Sequence, residues 1–153
     1  MSDDALLRFA DAAQQDLARL LLAASRSINA QALAAIDPDG TSGVRPAHIP
    51  VIASLDTDGT RLVTIAARLD ISRQAVAGLV RDLTAAGVVT VAPDPADARA
   101  QRVTLTAKGA DFCTRAADFL EQREREWRHE HGDRTLAIVR DFLTRIADGP
   151  DHV

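Results

Sequence analysis

The sequence predicts a mostly α-helical fold with one small β-hairpin. Three observations carry this reading. Apolar residues recur at steps of three and four along most of the 153 residues, the period of a helix packed on one face. Two β-branched runs, Val88-Val89-Thr90-Val91 and Arg102-Val103-Thr104-Leu105, break that period. Clusters of Gly, Pro and Asp separate the segments. The length fits about one domain at roughly 150 residues each. With 46% hydrophobic and 26% charged residues the chain can bury a core, and 3% aromatic content leaves that core to Leu, Val, Ile and Ala.

The elements follow in order. From Leu6 to Ile36 an apolar stripe (Leu6, Phe9, Ala13, Leu17, Leu20, Leu21, Ala24, Ile28) predicts one helix of about 30 residues, with no interior Gly or Pro. Its apolar surface exceeds what a chain this size easily covers, which predicts a partner chain. Asp37-Pro38-Asp39-Gly40 ends it. A short helix, Pro46 to Leu55, is distorted by Pro50. After the turn Asp56–Gly59 come helices Leu62–Leu69 and Ser72–Ala86, with Ser72 as N-cap and Gly87 just past the end. The β-branched runs form a hairpin around a long loop, Ala92 to Gln101. Thr106 caps a helix from Ala107 to His131, and a final helix spans Arg134 to Ile146.

No stretch of 18 apolar residues occurs, and Met1-Ser2-Asp3-Asp4 is acidic where a signal peptide is basic. The single cysteine, Cys113, excludes an intrachain disulfide. These features predict a soluble cytoplasmic protein away from membranes. The net charge of −4 argues against a nucleic-acid partner when taken whole. Between Thr60 and Gly109, however, seven basic residues stand against four acidic ones. Phosphate attraction is screened beyond about 10 Å at 0.1 M salt, so the local sign matters more than the total.

Helix, tight turn, helix and hairpin is the order of a winged helix-turn-helix, whose second helix enters the major groove of DNA. Within Ser72–Ala86, Val76, Leu79, Val80 and Leu83 form the core face. The other face carries Arg73, Gln74, Ala77, Gly78 and Arg81, small or polar as close approach to base edges requires.

The residues that carry a family resemblance are Gly59-Thr60-Arg61-Leu62, Ala66-Ala67-Arg68-Leu69-Asp70-Ile71-Ser72-Arg73-Gln74-Ala75-Val76, Leu83-Thr84-Ala85-Ala86-Gly87-Val88-Val89, Pro93-Asp94-Pro95-Ala96-Asp97-Ala98-Arg99-Ala100 and Val103-Thr104-Leu105-Thr106-Ala107-Lys108-Gly109. Together they resemble the MarR family of bacterial transcription regulators over about Val44 to Gly109. The resemblance implies one domain, 1–153, with a DNA-binding lobe at 46–106 and dimerisation helices at 1–36 and 107–153. It implies a homodimer that binds double-stranded DNA at a near-palindromic operator, represses transcription, and is released by a small aromatic effector. By the same resemblance Ser72, Arg73, Gln74, Ala77 and Arg81 belong to the recognition helix. Asp97, Arg99 and Arg102 belong to the wing, with Asp97 orienting Arg99 toward the minor groove. His48 falls near the family's effector pocket, although the residues alone favour a structural histidine. Ala98 and Gly78 depart from the family, which often has basic or polar side chains there.

Other features are weaker. His129 and His131 point to different sides of a helix and lack further ligands, so no metal or other cofactor is expected. Cys113 reads as a small buried hydrophobe. No phosphate-binding Gly loop, Gly-x-Ser-x-Gly or Cys/His pairing suggests an enzyme. The alternative is a winged-helix module for protein–protein assembly, for which Ala98, Gly78 and the net negative charge speak.

Overall fold

The computed structural model describes residues 2–14 and 16–149. Seven α-helices and a three-stranded antiparallel sheet appear among them: α1 (Ser2–Gln14), α2 (Leu17–Ile36), α3 (Ile49–Ala53), β1 (Thr60–Arg61), α4 (Leu62–Leu69), α5 (Arg73–Ala85), β2 (Val89–Asp94), β3 (Asp97–Leu105), α6 (Ala107–His131) and α7 (Asp133–Asp148). The mostly helical fold with a small β element stands, with four corrections.

The long N-terminal helix is two helices. Asp16 leaves helical geometry, and its carboxylate accepts the Ala18 backbone N–H at 3.2 Å, capping α2. The helix expected at Pro46–Leu55 is a 3-10 turn, Pro46–His48, followed by the five-residue α3. The hairpin becomes a sheet of order β1-β3-β2, because Thr60 and Arg61 pair with Val103 and Arg102. The hairpin loop is also far shorter, since β2 and β3 run through most of Ala92–Gln101. Pro93 is tolerated in β2 because β2 is an edge strand and needs no inward N–H.

The core is built from the winged-helix lobe and the first turns of α6. Val51, Ile65, Val76, Leu83, Val88 and Val103 are fully buried, and Phe112 closes the cluster from α6. The expected core face of α5 is present: Val76, Val80 and Leu83 are buried and Leu79 packs against them. Removing a side chain such as Leu83 from this core costs about 2–5 kcal/mol in comparable proteins.

Two glycines are dictated by close approach. Gly59 has φ +89°, and a Cβ there would collide with the Thr104 side chain of β3. At Gly109 a Cβ would run into the Val88 carbonyl, so α6 can lie against the start of β2 only without a side chain. Thr106 completes that junction, its hydroxyl accepting the Gly109 N–H at 3.1 Å and donating to the Gly87 carbonyl at 2.6 Å. The outer helices are packed less: every described side chain of α1 is exposed and α7 buries none.

Candidate nucleic-acid interface

The turn between α4 and α5 sets the site. Asp70 ends α4 in the left-handed conformation, φ 50°, which Asp tolerates better than most side chains. Ile71 N–H then returns to the Ala66 carbonyl at 3.2 Å. Ser72 starts α5, with its hydroxyl accepting the Ala75 N–H at 3.1 Å. Ser72 is thus placed as the cap of the helix, while Arg73 and Gln74 stand exposed on its first turn.

A cleft of about 590 Å³ lies between α5 and the wing. Arg73, Gln74 and Ala77 line it from the helix, Arg99 and Gln101 from β3, and Arg61 from the head of α4. Arg73, Gln74, Ala77 and Arg99 are therefore brought to one opening. Arg81 lies one turn further along, on an adjoining groove of about 520 Å³ shared with Thr84, Val91 and Gln101.

The arginines of this lobe divide into two sets. Arg45, Arg61, Arg68 and Arg102 are each paired with a carboxylate: Asp82, Asp94, Asp56, and Asp58 with Asp94. Among the described residues no carboxylate lies within ion-pair distance of Arg73, Arg81 or Arg99. Those three guanidinium groups are exposed and uncompensated, the condition for attracting phosphate or a guanine edge.

The wing differs in detail from the expected Asp97–Arg99 pair. Asp97 accepts the backbone N–H of Arg99 at 3.1 Å, which fixes the chain at Arg99 and not its guanidinium. Arg102 lies at the wing root, donating to Asp94, to Asp58 and to the Gly59 carbonyl. The carboxylate that organises the wing is Asp94. Its side chain is fully buried, and it accepts from Arg61 Nε at 2.7 Å, Arg102 Nη2 at 3.2 Å and the Ala96 N–H at 2.8 Å. Arg61 first, then the Ala96 N–H and Arg102, hold its carboxyl far below the usual carboxylate range, against the opposing effect of burial. Asp94 and Arg61 lie in the segments that carry the resemblance, but the sequence reading gives neither a role. The available signal was an arginine at the head of α4, where a short capping side chain is usual.

His48 is placed away from this cleft, its ring fully buried beside α5. Its Nδ1 accepts the Arg45 N–H at 3.0 Å, and Nε2 lies 3.7 Å from Asp82 Oδ2 of α5. Burial, then the neighbouring Arg45 charge, push the imidazole below its ordinary value, with Asp82 pulling the other way. Cys113 is half-buried and burial raises its thiol, which makes it a poor nucleophile. Among the described residues no group of His, Cys, Asp or Glu is arranged to hold a metal ion, and no helix is long and apolar enough to cross a membrane.

Helix, tight turn, helix and wing, with unpaired arginines facing one cleft, define a winged helix-turn-helix protein. Residues 42–100 match the model of the MarR family. That match runs from before α3 to the start of β3 and leaves α6 and α7 outside it. No curated protein sequence matches the chain. Among solved structures it is similar to the transcriptional repressor CouR bound to a 23-mer DNA duplex, with TM-score 0.70 and 24% identity over 89% of this chain and 95% of that one. CouR from Rhodococcus jostii RHA1 bound to p-coumaroyl-CoA matches with TM-score 0.68 and 22% identity over 92% and 96%. Bordetella bronchiseptica BpsR, whose DNA binding is regulated by 6-hydroxynicotinic acid, matches with TM-score 0.67 and 23% identity over 89% and 96%. At these identities the likeness is one of fold.

Proposed function

We propose that the protein is a homodimeric, sequence-specific DNA-binding repressor. The observation that carries this reading is the convergence of Arg73, Gln74 and Arg99, exposed and without carboxylate partners, on one cleft between α5 and the wing. Arg73 is suited to bridge guanine O6 and N7, and Gln74 adenine N6 and N7. Arg99 is suited to a narrow A·T-rich minor groove, where the negative potential is enhanced. Arg81 serves the phosphates beside them. Asp97 and Arg102 act in the wing by shaping its backbone and holding its root.

Dimerisation is supported by the apolar side chains that a single chain leaves in water. Leu6, Leu7 and Phe9 on α1 are 64%, 69% and 73% exposed, and Ile138, Val139, Phe142 and Ile146 form a further apolar face on α7. A second copy laid against these helices covers both faces, consistent with the 2,000 Å² or so that obligate dimers bury. The two lobes, 46–106 in each chain, then meet DNA with two-fold symmetry, and the operator is a near-palindrome with half-sites about one helical turn apart. Repression follows from occupying a promoter. BpsR and CouR are described with 6-hydroxynicotinic acid and p-coumaroyl-CoA, which supports a small aromatic effector here as well. An effector that favours one lobe spacing would weaken operator binding about 5- to 150-fold.

Selection of bound genomic fragments, followed by gel shifts on the recovered sites, tests the reading. Recovery of fragments that share a near-palindrome supports it. A dimer that retains no fragment transfers the fold to the protein-assembly alternative.

A further inference from the structure

Arg61 breaks a local rule. It occupies the N-cap of α4, where Ser, Thr, Asp or Asn would accept a first-turn N–H, and it makes no side-chain capping bond. The side chain reaches instead to Asp94, 33 residues away, with Nε 2.7 Å from Oδ2. A fully buried carboxylate held by arginines carries a large desolvation cost and is weak as a source of net stability. What the pair supplies is direction. Asp94 is the last residue of β2, at the shift in register after Pro93, and the same carboxylate takes the Ala96 N–H that opens the wing turn. Arg102 closes the network from β3 through Asp94, Asp58 and the Gly59 carbonyl. The root of the wing is thereby fastened to the residues that begin α4, and α4 is packed with α5 in one core.

We propose that Arg61 is a positioning residue for DNA reading: its bond to Asp94 fixes the angle of the wing against α4, and so the separation between Arg99 and the Arg73–Gln74 pair. This rests on the DNA-reading function proposed above and names the part of the lobe that sets its span. A planar guanidinium suits the task because its fork holds one orientation, whereas an ammonium rotates freely. Arg61 also lines the cleft with its side chain 38% exposed, so a plain phosphate contact is the competing role.

The test is a double-mutant cycle on a recovered genomic fragment, read by fluorescence anisotropy, with thermal melts by circular dichroism alongside. The proteins are the full-length parent, Arg61→Thr, Arg99→Ala, the double variant and Arg61→Lys. Threonine restores a capping side chain to α4, which offsets the lost ion pair, and the variant is expected to melt cooperatively. It should bind about tenfold more weakly, and adding Arg99→Ala should then cost little more, since a misdirected wing no longer delivers its arginine. Arg61→Lys keeps a charge on Asp94 and the fold, yet should bind several-fold more weakly with a reduced Arg99 effect. Losses that simply multiply in the cycle mark Arg61 as an independent phosphate contact and overturn the proposal. Parent-like binding by Arg61→Thr also overturns it. If the threonine variant does not melt cooperatively, the lysine variant decides, and parent-like affinity there overturns the proposal. A parent that binds no fragment removes the DNA-reading function and the proposal together; a parent that binds, beside an unaffected Arg61→Thr, removes the proposal alone.

Discussion

The ammonium of Lys108, on the first turn of α6, donates to the carbonyl of Ala86, the C-cap of α5, at 2.7 Å. It is the only lysine in the chain. It also reaches the Ser42 carbonyl at 3.3 Å, so one cation ties the end of α5, the loop after α2 and the start of α6. A cation here answers the unpaired carbonyls and the negative end of the helix dipole. Replacing Lys108 with Met keeps the aliphatic stem and removes the donors. The variant should lose about 1–2 kcal/mol in urea unfolding. A parent-like unfolding midpoint would show that the tie contributes nothing.

Local chemistry made much of this lobe legible beforehand. Ser72 as cap, Gly87 after α5, Thr106 before α6 and the Val76–Leu83 core face all depend on residues close in sequence, and each stands as read. The misses depend on distant partners. The N-terminal helix breaks at Asp16 although the apolar period runs straight across it, because a polar cap interrupts a helix without altering the pattern of its neighbours. Two residues of β1 are too few to show a period, and only β3 makes them a strand. Pro93 and Pro95 read as loop, yet β3 draws Pro93 into an edge strand. The Arg61–Asp94 bond spans 33 positions and leaves one local trace, a missing cap.

Buried His48 makes stability depend on pH near neutrality. The folded imidazole takes up its proton only below the ordinary value of 6.5, because of burial and the Arg45 charge. Between those two pH values the unfolded chain binds more protons, so stability is full above about pH 6.5 and falls on acidification. Melting temperature should therefore drop as the pH falls below about 6.5. Asn at position 48 keeps an acceptor near Nδ1 for the Arg45 N–H, and His48→Asn should flatten that window. Asp94 acts at lower pH: its carboxyl is depressed, so its contribution persists down to about pH 4 and is lost below. An unchanged slope in His48→Asn would place the titrating group elsewhere.

The apolar faces of α1 and α7 predict the oligomeric state. Phe142 is 45% exposed in the single chain, between Val139 and Ile146 on the same face. Phe142→Glu places a charge where the second copy is proposed to pack, and burying it unpaired costs several kcal/mol. Sedimentation velocity should show a dimer for the parent and a monomer for the variant, with fragment binding lost. A parent that sediments as a folded monomer contradicts the dimeric reading.

The central claim is that α5 reads bases while the wing supplies a less specific grip. It is tested most directly by the affinities of the parent, Arg73→Ala and Arg99→Ala for a recovered operator and for scrambled DNA across a salt series. Arg73→Ala should cost about 1–3 kcal/mol on the operator and relax preference at one position in each half-site. Arg99→Ala should weaken both DNAs alike and reduce the salt slope by about one unit. If both variants bind operator and scrambled DNA as the parent does, at the same slope, the cleft between α5 and the wing is not a DNA-reading surface.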